Sequence, residues 1–151
     1  LMTRRRFPAH ALSAIESAIT TVEARHAGEI RFVIETALDV SALLADRTPR
    51  ERAVELFSHY RVWDTANNNG VLIYLLMAEH DVEIVADRGI AARVSDAEWH
   101  AVCQQMETHF RSGRFREGAI AGVDGVAALL VRHFPHEGGD RNEQPNRPIL
   151  L

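Results

Sequence analysis

The sequence predicts an α/β domain, a small sheet covered by helices, and three observations carry that expectation. Two capping boxes, Thr48-Pro49-Arg50-Glu51 and Ser95-Asp96-Ala97-Glu98, each open a stretch of apolar residues at three- and four-residue steps. Glu29 to Glu35, "EIRFVIE", alternates with a period of two, as a strand with a buried face does. The apolar runs Val71 to Ala78 and Val82 to Ala86 are joined by a short polar loop, which reads as an antiparallel hairpin.

Each element follows from a local signal. Pro8, then Ala11, Leu12, Ile15, Ala18, Ile19 and Val22, has helical spacing, and Gly28 stops that helix before the Glu29 strand begins. Residues 37–47 are ambiguous and have room for a short helix through Val40, Leu43 and Leu44. Thr48 then caps a helix that carries Ala53, Leu56, Phe57 and Tyr60. After the turn-forming stretch Asn67-Asn68-Asn69-Gly70 comes the hairpin, which ends at Asp87-Arg88-Gly89. Ser95 caps the next helix, with Trp99, Val102, Cys103, Met106 and Phe110 on its apolar side, ending near Gly113. The last helix carries Ile120, Val123, Ala127, Leu130, Val131 and Phe134, and Pro135 closes it. This divides the chain into a basic N-terminal segment, 1–9, a domain, 10–135, and a polar C-terminal tail, 136–151, with an apolar end at Ile149 to Leu151.

Composition narrows the chemistry. A chain of 151 residues, 46% hydrophobic and 25% charged, suits one globular domain. A net charge of -4 gives no global attraction to nucleic acid, so no nucleic-acid partner is expected. All 17 basic residues are arginine, which excludes a Schiff-base lysine and a lysine-dependent phosphate loop. The lone Cys103 has no partner for an internal disulfide and reads as a small core residue. "LMTRRRFPAH" lacks the apolar stretch of a signal peptide, and the longest apolar run is far short of the roughly 20 residues that span a bilayer. The expected localisation is cytoplasmic, with room for peripheral contact with a membrane.

The candidate site follows from topology. If the Thr48 helix is the crossover between the Glu29 strand and the Val71 strand, those strands run parallel, and Glu29 and Asn69 share one sheet edge. The hairpin returns Asp87 to the same edge. Glu29, Asp64, Asn67, Asn68, Asn69 and Asp87 then meet at one rim, with Arg88 beside them. Carboxylates, amide carbonyls and turn carbonyls are the ligands of hard cations, which makes Glu29, Asp64, Asn68, Asn69 and Asp87 the candidate ligands for Ca²⁺ or Mg²⁺. The bland reading competes with this one: Asp64 caps a turn, the asparagines satisfy backbone groups, and Asp87 pairs with Arg88 or opens the Gly89 turn. His133 and His136 flank Pro135 and read as solvated end-of-helix histidines, not as a zinc pair.

The order of these pieces resembles the TPM domain family. The residues that carry the resemblance are Gly28-Glu29-Ile30, Asn68-Asn69-Gly70-Val71, Asp87-Arg88-Gly89, Ser95 to Glu98, and Phe110-Arg111-x-Gly113-x-Phe115 before Gly118, over about residues 10–134. The resemblance implies a three-layer α/β/α sandwich, divalent-cation binding at the loops of one sheet edge, and a role as an interaction or maintenance factor for a membrane-protein partner. The alternative it implies is a metal-dependent acid phosphatase acting on phosphomonoesters, for which Asp64, Asp87 and Arg88 are the catalytic candidates: the two aspartates to hold a metal, the arginine to steady the phosphoryl oxygens.

Overall fold

A computed structural model describes residues 5–26, 28–135 and 143–151. Helix α1 spans Ala9–Glu23, strand β1 Glu29–Glu35, helix α2 Val40–Leu44 and helix α3 Pro49–His59. Strand β2 is Gly70–Leu76, and a short 3-10 turn, Met77–Glu79, leads to strand β3, Asp81–Ala86. Helix α4 is the single turn Arg88–Ala91. Helices α5, Asp96–Arg111, and α6, Phe115–His133, follow. A two-residue strand β4, Ile149–Leu150, ends the fold.

The capping boxes close as their sequences require. Thr48 and Ser95 accept from the Glu51 and Glu98 N–H groups, and each glutamate reaches back to its cap. Strand order is β3-β2-β1-β4. β1 and β2 run parallel, β2 and β3 antiparallel, and β4 lies parallel to β1 on its outer edge, so the sheet is mixed.

Alternation along the strands divides the core in two. Ile30, Phe32, Ile34, Val71, Ile73 and Leu75 pack with α1, α5 and α6 through residues such as Ile15, Ile19, Met106 and Val123. Val33, Leu72, Tyr74 and Leu76 face the other way, onto Ala53 and Leu56 of α3. β2 is buried along its whole length because both of its faces are covered, which is why it reads as an uninterrupted apolar run. The result is the α/β/α sandwich.

Three features depart from the sequence reading. The Asp87-Arg88-Gly89 stretch opens the one-turn helix α4, capped by the Asp87 carboxylate, where a plain turn was expected. Phe7 lies inside the core at 1% exposure, edge-on to Phe115 with ring centroids 5.9 Å apart, so packing begins within the segment assigned to the basic N-terminus. The described part of the C-terminal tail, 143–151, lies along β1 and ends as β4; Leu151 N–H donates to Ile34 O at 2.7 Å, and Thr36 N–H to Leu151 O at 3.2 Å. Local patterning gives no sign of this docking, since Pro145 and Pro148 remove two N–H donors and break any alternation. Among the described residues no helix is long and apolar enough to cross a membrane.

Candidate functional site

Glu29, Gly70 and Asp87 stand level at one end of three neighbouring strands. Glu29 is in register with Gly70, and Asp87 N–H donates to Gly70 O at 2.9 Å. The parallel crossover and the hairpin therefore bring both carboxylates to one rim, as topology requires.

The asparagines shape that rim. Asn68 has a left-handed backbone, φ 52°, and its carbonyl accepts from Gly89 N–H at 3.1 Å, which locks the loop before β2 onto the start of α4. A Cβ on Gly89 would lie 2.6 Å from Asn68 O and 2.9 Å from Asn67 O, so glycine is what lets these chains touch. Asn69 is buried; its N–H donates to Thr65 Oγ1 at 3.0 Å and its carbonyl accepts from Glu29 N–H at 3.0 Å, extending the parallel ladder by one step.

The carboxylates have different surroundings. Asp87 Oδ1 accepts from Arg88 N–H at 2.8 Å, while Oδ2 is buried with no hydrogen-bond partner. Arg88 is exposed. Glu29 is 5% exposed, and its Oε1 accepts from Glu143 N–H at 2.7 Å. Its Oε2 has no donor and faces Glu23, whose own Oε2 accepts from Ile30 N–H at 2.8 Å. Burial pushes the Glu23 carboxyl up to about 8, with the Glu29 charge adding to it, and burial raises Glu29 as well.

Asp64 sits apart from these groups. Its carboxylate is exposed and meets Arg61 at 3.2 Å; only its main-chain carbonyl turns inward, accepting from Gln144 Nε2 at 3.4 Å. Between Glu29 and Asp87 the turn after α3 presses down, for a Cβ on Gly70 would lie 2.2 Å from Val62 O. The rim is thus divided. One part holds Glu23, Glu29 and Glu143; the other holds Asp87 and the start of α4, where Gly89 meets the Asn67-Asn68 loop. Among the described residues no three Asp, Glu, His or Cys side chains are placed to share a cation, so any cation here would need amide and main-chain carbonyls and water as well.

Sequence reasoning missed Glu23, Glu143 and Gln144. Glu23 lies in the last turn of α1, and the other two come from the C-terminal tail, so no local pattern links them to β1. Gln144 is 6% exposed, and its amide also donates to Arg61 O at 3.1 Å.

Concavities open elsewhere on the surface. A crevice of about 280 Å³ at the far end of the sheet is lined by Glu35, Arg52 and Glu55. There Arg52 holds Glu35 through two bonds, 2.9 and 2.8 Å, Tyr74 donates to Glu35 at 2.7 Å, and Glu55 takes both Arg47 and Arg52, so these four charges are paired. A groove of about 380 Å³ beside β3 is lined by Asp81, Glu83, Glu107 and Cys103, whose thiol is pushed up to about 12 by burial. His133 stands 3.9 Å from Glu98; His136 lies outside the described residues.

Comparison with known proteins agrees with the fold. Residues 7–129 match the family model described as the TPM domain. The solution structure of the BA42 protein from the psychrophilic bacterium Bizionia argentinensis is similar, with 29% identity, a TM-score of 0.82, and coverage of 95% of this chain and 94% of that one. The N-terminal domain of a P. gingivalis protein shares the fold at 22% identity, a TM-score of 0.64, and coverage of 80% and 75%. No curated protein matches the chain.

Proposed function

Because the chain belongs to the TPM domain family, we propose that it binds a divalent cation, Ca²⁺ or Mg²⁺, at this rim and serves as an interaction or maintenance factor for a membrane-protein partner. The observation that carries the cation is Asp87 Oδ2, a buried carboxylate oxygen with no donor, at the start of α4 where Gly89 N–H meets Asn68 O. Leaving such an oxygen unpaired is costly, and a hard cation relieves that cost. Asp87 and Asn68 are the residues that would hold the ion, with water; Glu29 stays across the Val62 turn with Glu23 and Glu143. A bound cation would neutralise charge and stiffen the loops.

Binding without catalysis suits the rim because its polar groups already hold loops together: the Thr65 hydroxyl accepts from Asn69, and Asn68 O from Gly89. A surface for a partner is available on α2, where Val40, Leu43 and Leu44 are 72%, 54% and 82% exposed. The phosphatase alternative needs Asp64 and Asp87 on one metal, and the Asp64 carboxylate is turned to Arg61.

Calorimetric titration with Ca²⁺ and Mg²⁺ tests the reading on the parent and on Asp87→Asn, which retains the oxygen that caps α4. Uptake by the parent that weakens at least about tenfold in the variant is expected, the loss of one charged ligand. No uptake at millimolar concentration would sink it. Hydrolysis of p-nitrophenyl phosphate that disappears in Asp87→Asn, with the fold intact, would transfer the assignment to the phosphatase.

A further inference from the structure

The two edges of the sheet differ. On one side β4 covers β1 at Val33 and Ile34. On the other β3 is the last strand, and among the described residues no further strand pairs with it. Its register with β2 runs unbroken from Asp81 to Ala86, with neither a bulge nor a proline to stop another strand from joining. Asp87 N–H turns inward to Gly70 O, and in an antiparallel pair the inward groups then belong to Asp81, Glu83 and Val85. The N–H and C=O groups of Val82 and Ile84 therefore face outward, where Ile84 O accepts from the Arg50 guanidinium of α3. Neither outward N–H has a partner among the described residues. They open into the groove of about 380 Å³ whose far wall is α5. Trp99 and Cys103 give that wall an apolar stretch, while Asp81, Glu83 and Glu107 make the rest of the lining acidic. Burial, with the Asp81 and Glu107 charges beside it, pushes the Glu83 carboxyl up to about 7, although Arg50 stands 3.9 Å away. The acidic groups here crowd one another with too little positive charge to balance them.

We propose that the β3 edge is a docking site for an extended segment of a partner protein in which basic and apolar residues alternate, taken up as a fifth strand. This goes beyond the cation at the rim and does not depend on it. Main-chain bonds to Val82 and Ile84 supply the attachment, and the two faces of the strand supply the selection. Val82 and Ile84 belong to the core that α5 covers and Val85 to the core that α3 covers, so Asp81 and Glu83 share the α3 face. Side chains of the docked segment that fall on that face meet carboxylates and are basic. Those on the opposite face meet Trp99 and Cys103 and are apolar. Arg50 already displays the recognition on a small scale, with a guanidinium on an outward carbonyl beside Glu83. A second copy of the same edge is a poor occupant, because it would set Asp81 and Glu83 against like charges.

The test titrates the full chain with an end-blocked hexapeptide of alternating arginine and valine, followed by amide NMR. Saturable shifts along Asp81 to Ala86 are expected, with slower hydrogen exchange at the Val82 and Ile84 amides. The same peptide with every backbone amide N-methylated keeps its charge but loses its donors, and should not bind. Glu83→Gln should weaken binding by about threefold to fivefold, the worth of one cross-strand charge pair. Arg50→Ala, which frees Ile84 O and removes a competing cation, should tighten it. Equal binding of the N-methylated peptide, an unchanged affinity in Glu83→Gln, weaker binding in Arg50→Ala, shifts confined to residues away from β3, or no binding at millimolar peptide would each overturn the docking site. None of these results bears on the cation at the rim.

Discussion

Gly70→Ala is the substitution that most directly probes how the rim is built. The new methyl would sit 2.2 Å from the Val62 carbonyl oxygen, where non-bonded contacts to a Cβ essentially never fall below 3.0 Å, so about 0.8 Å must be found by moving main chain. Neither side yields easily. Val62 is fully buried and its N–H donates to Phe57 O at 3.0 Å, while Gly70 is held between β1 and the Asp87 N–H. Overpacking costs about 1–3 kcal/mol, and a clash between two fixed backbones belongs at the upper end, about 3 kcal/mol. For a chain of this length that lowers Tm by about 6–12 °C. Thermal and urea melting would measure it, with Gly125→Ala as the reference: there the nearest atoms are Val102 methyls at 3.1 Å, and the helix-propensity gain of about 1 kcal/mol offsets the crowding. A Gly70→Ala melting point within about 2 °C of the parent would refute the argument that the turn at Val62 divides the rim.

Other consequences are accessible by the same methods. Arg52→Leu leaves Glu35, whose side chain is 12% exposed, without its guanidinium, and should cost about 3 kcal/mol at pH 7 in urea melts. Burial alone would raise the Glu35 carboxyl, yet the bonds from Arg52 and Tyr74 hold it below its ordinary value of 4.5; its stabilisation is present above that value and is lost as pH falls through the folded one. The deficit of Arg52→Leu should therefore shrink in acid, and a deficit constant from pH 7 to pH 3 would contradict the pairing. Glu23 has the opposite sign: its folded carboxyl titrates near 8 against an ordinary 4.5, so the folded state binds the extra proton and stability falls as pH rises between those values. Glu23→Gln, whose amide can donate to Glu29, should match the parent at pH 4 and melt higher at pH 8; equal melting points at both would contradict the raised Glu23 carboxyl.

Much of the fold was legible because its signals are local. The ends of β1, α3 and α5 follow from alternation and from two capping boxes, each contained in four residues. The level placement of Glu29 and Asp87 was legible too, since a parallel crossover followed by a hairpin has no other outcome. β4 was not, because a Pro-Ile-Leu-Leu end carries no strand signal until β1 offers it an edge. The Glu29 pairing was likewise hidden: Glu143 is 114 residues away in the chain, and only packing brings them together. Asp64 shows the converse. It has the chemistry of a ligand, but its neighbour on the exposed turn, Arg61, takes its carboxylate. The run of three asparagines has a structural use at Asn68, which adopts a left-handed turn, and at Asn69, which extends the ladder.

Cation binding at the rim is tested residue by residue by amide NMR shifts on titrating Ca²⁺ into the full chain. Saturable changes are expected at Asn67 to Gly70 and Asp87 to Gly89, and none in Asp87→Asn. Shifts confined to the acidic groove beside β3, or no saturable shift at all, would contradict it.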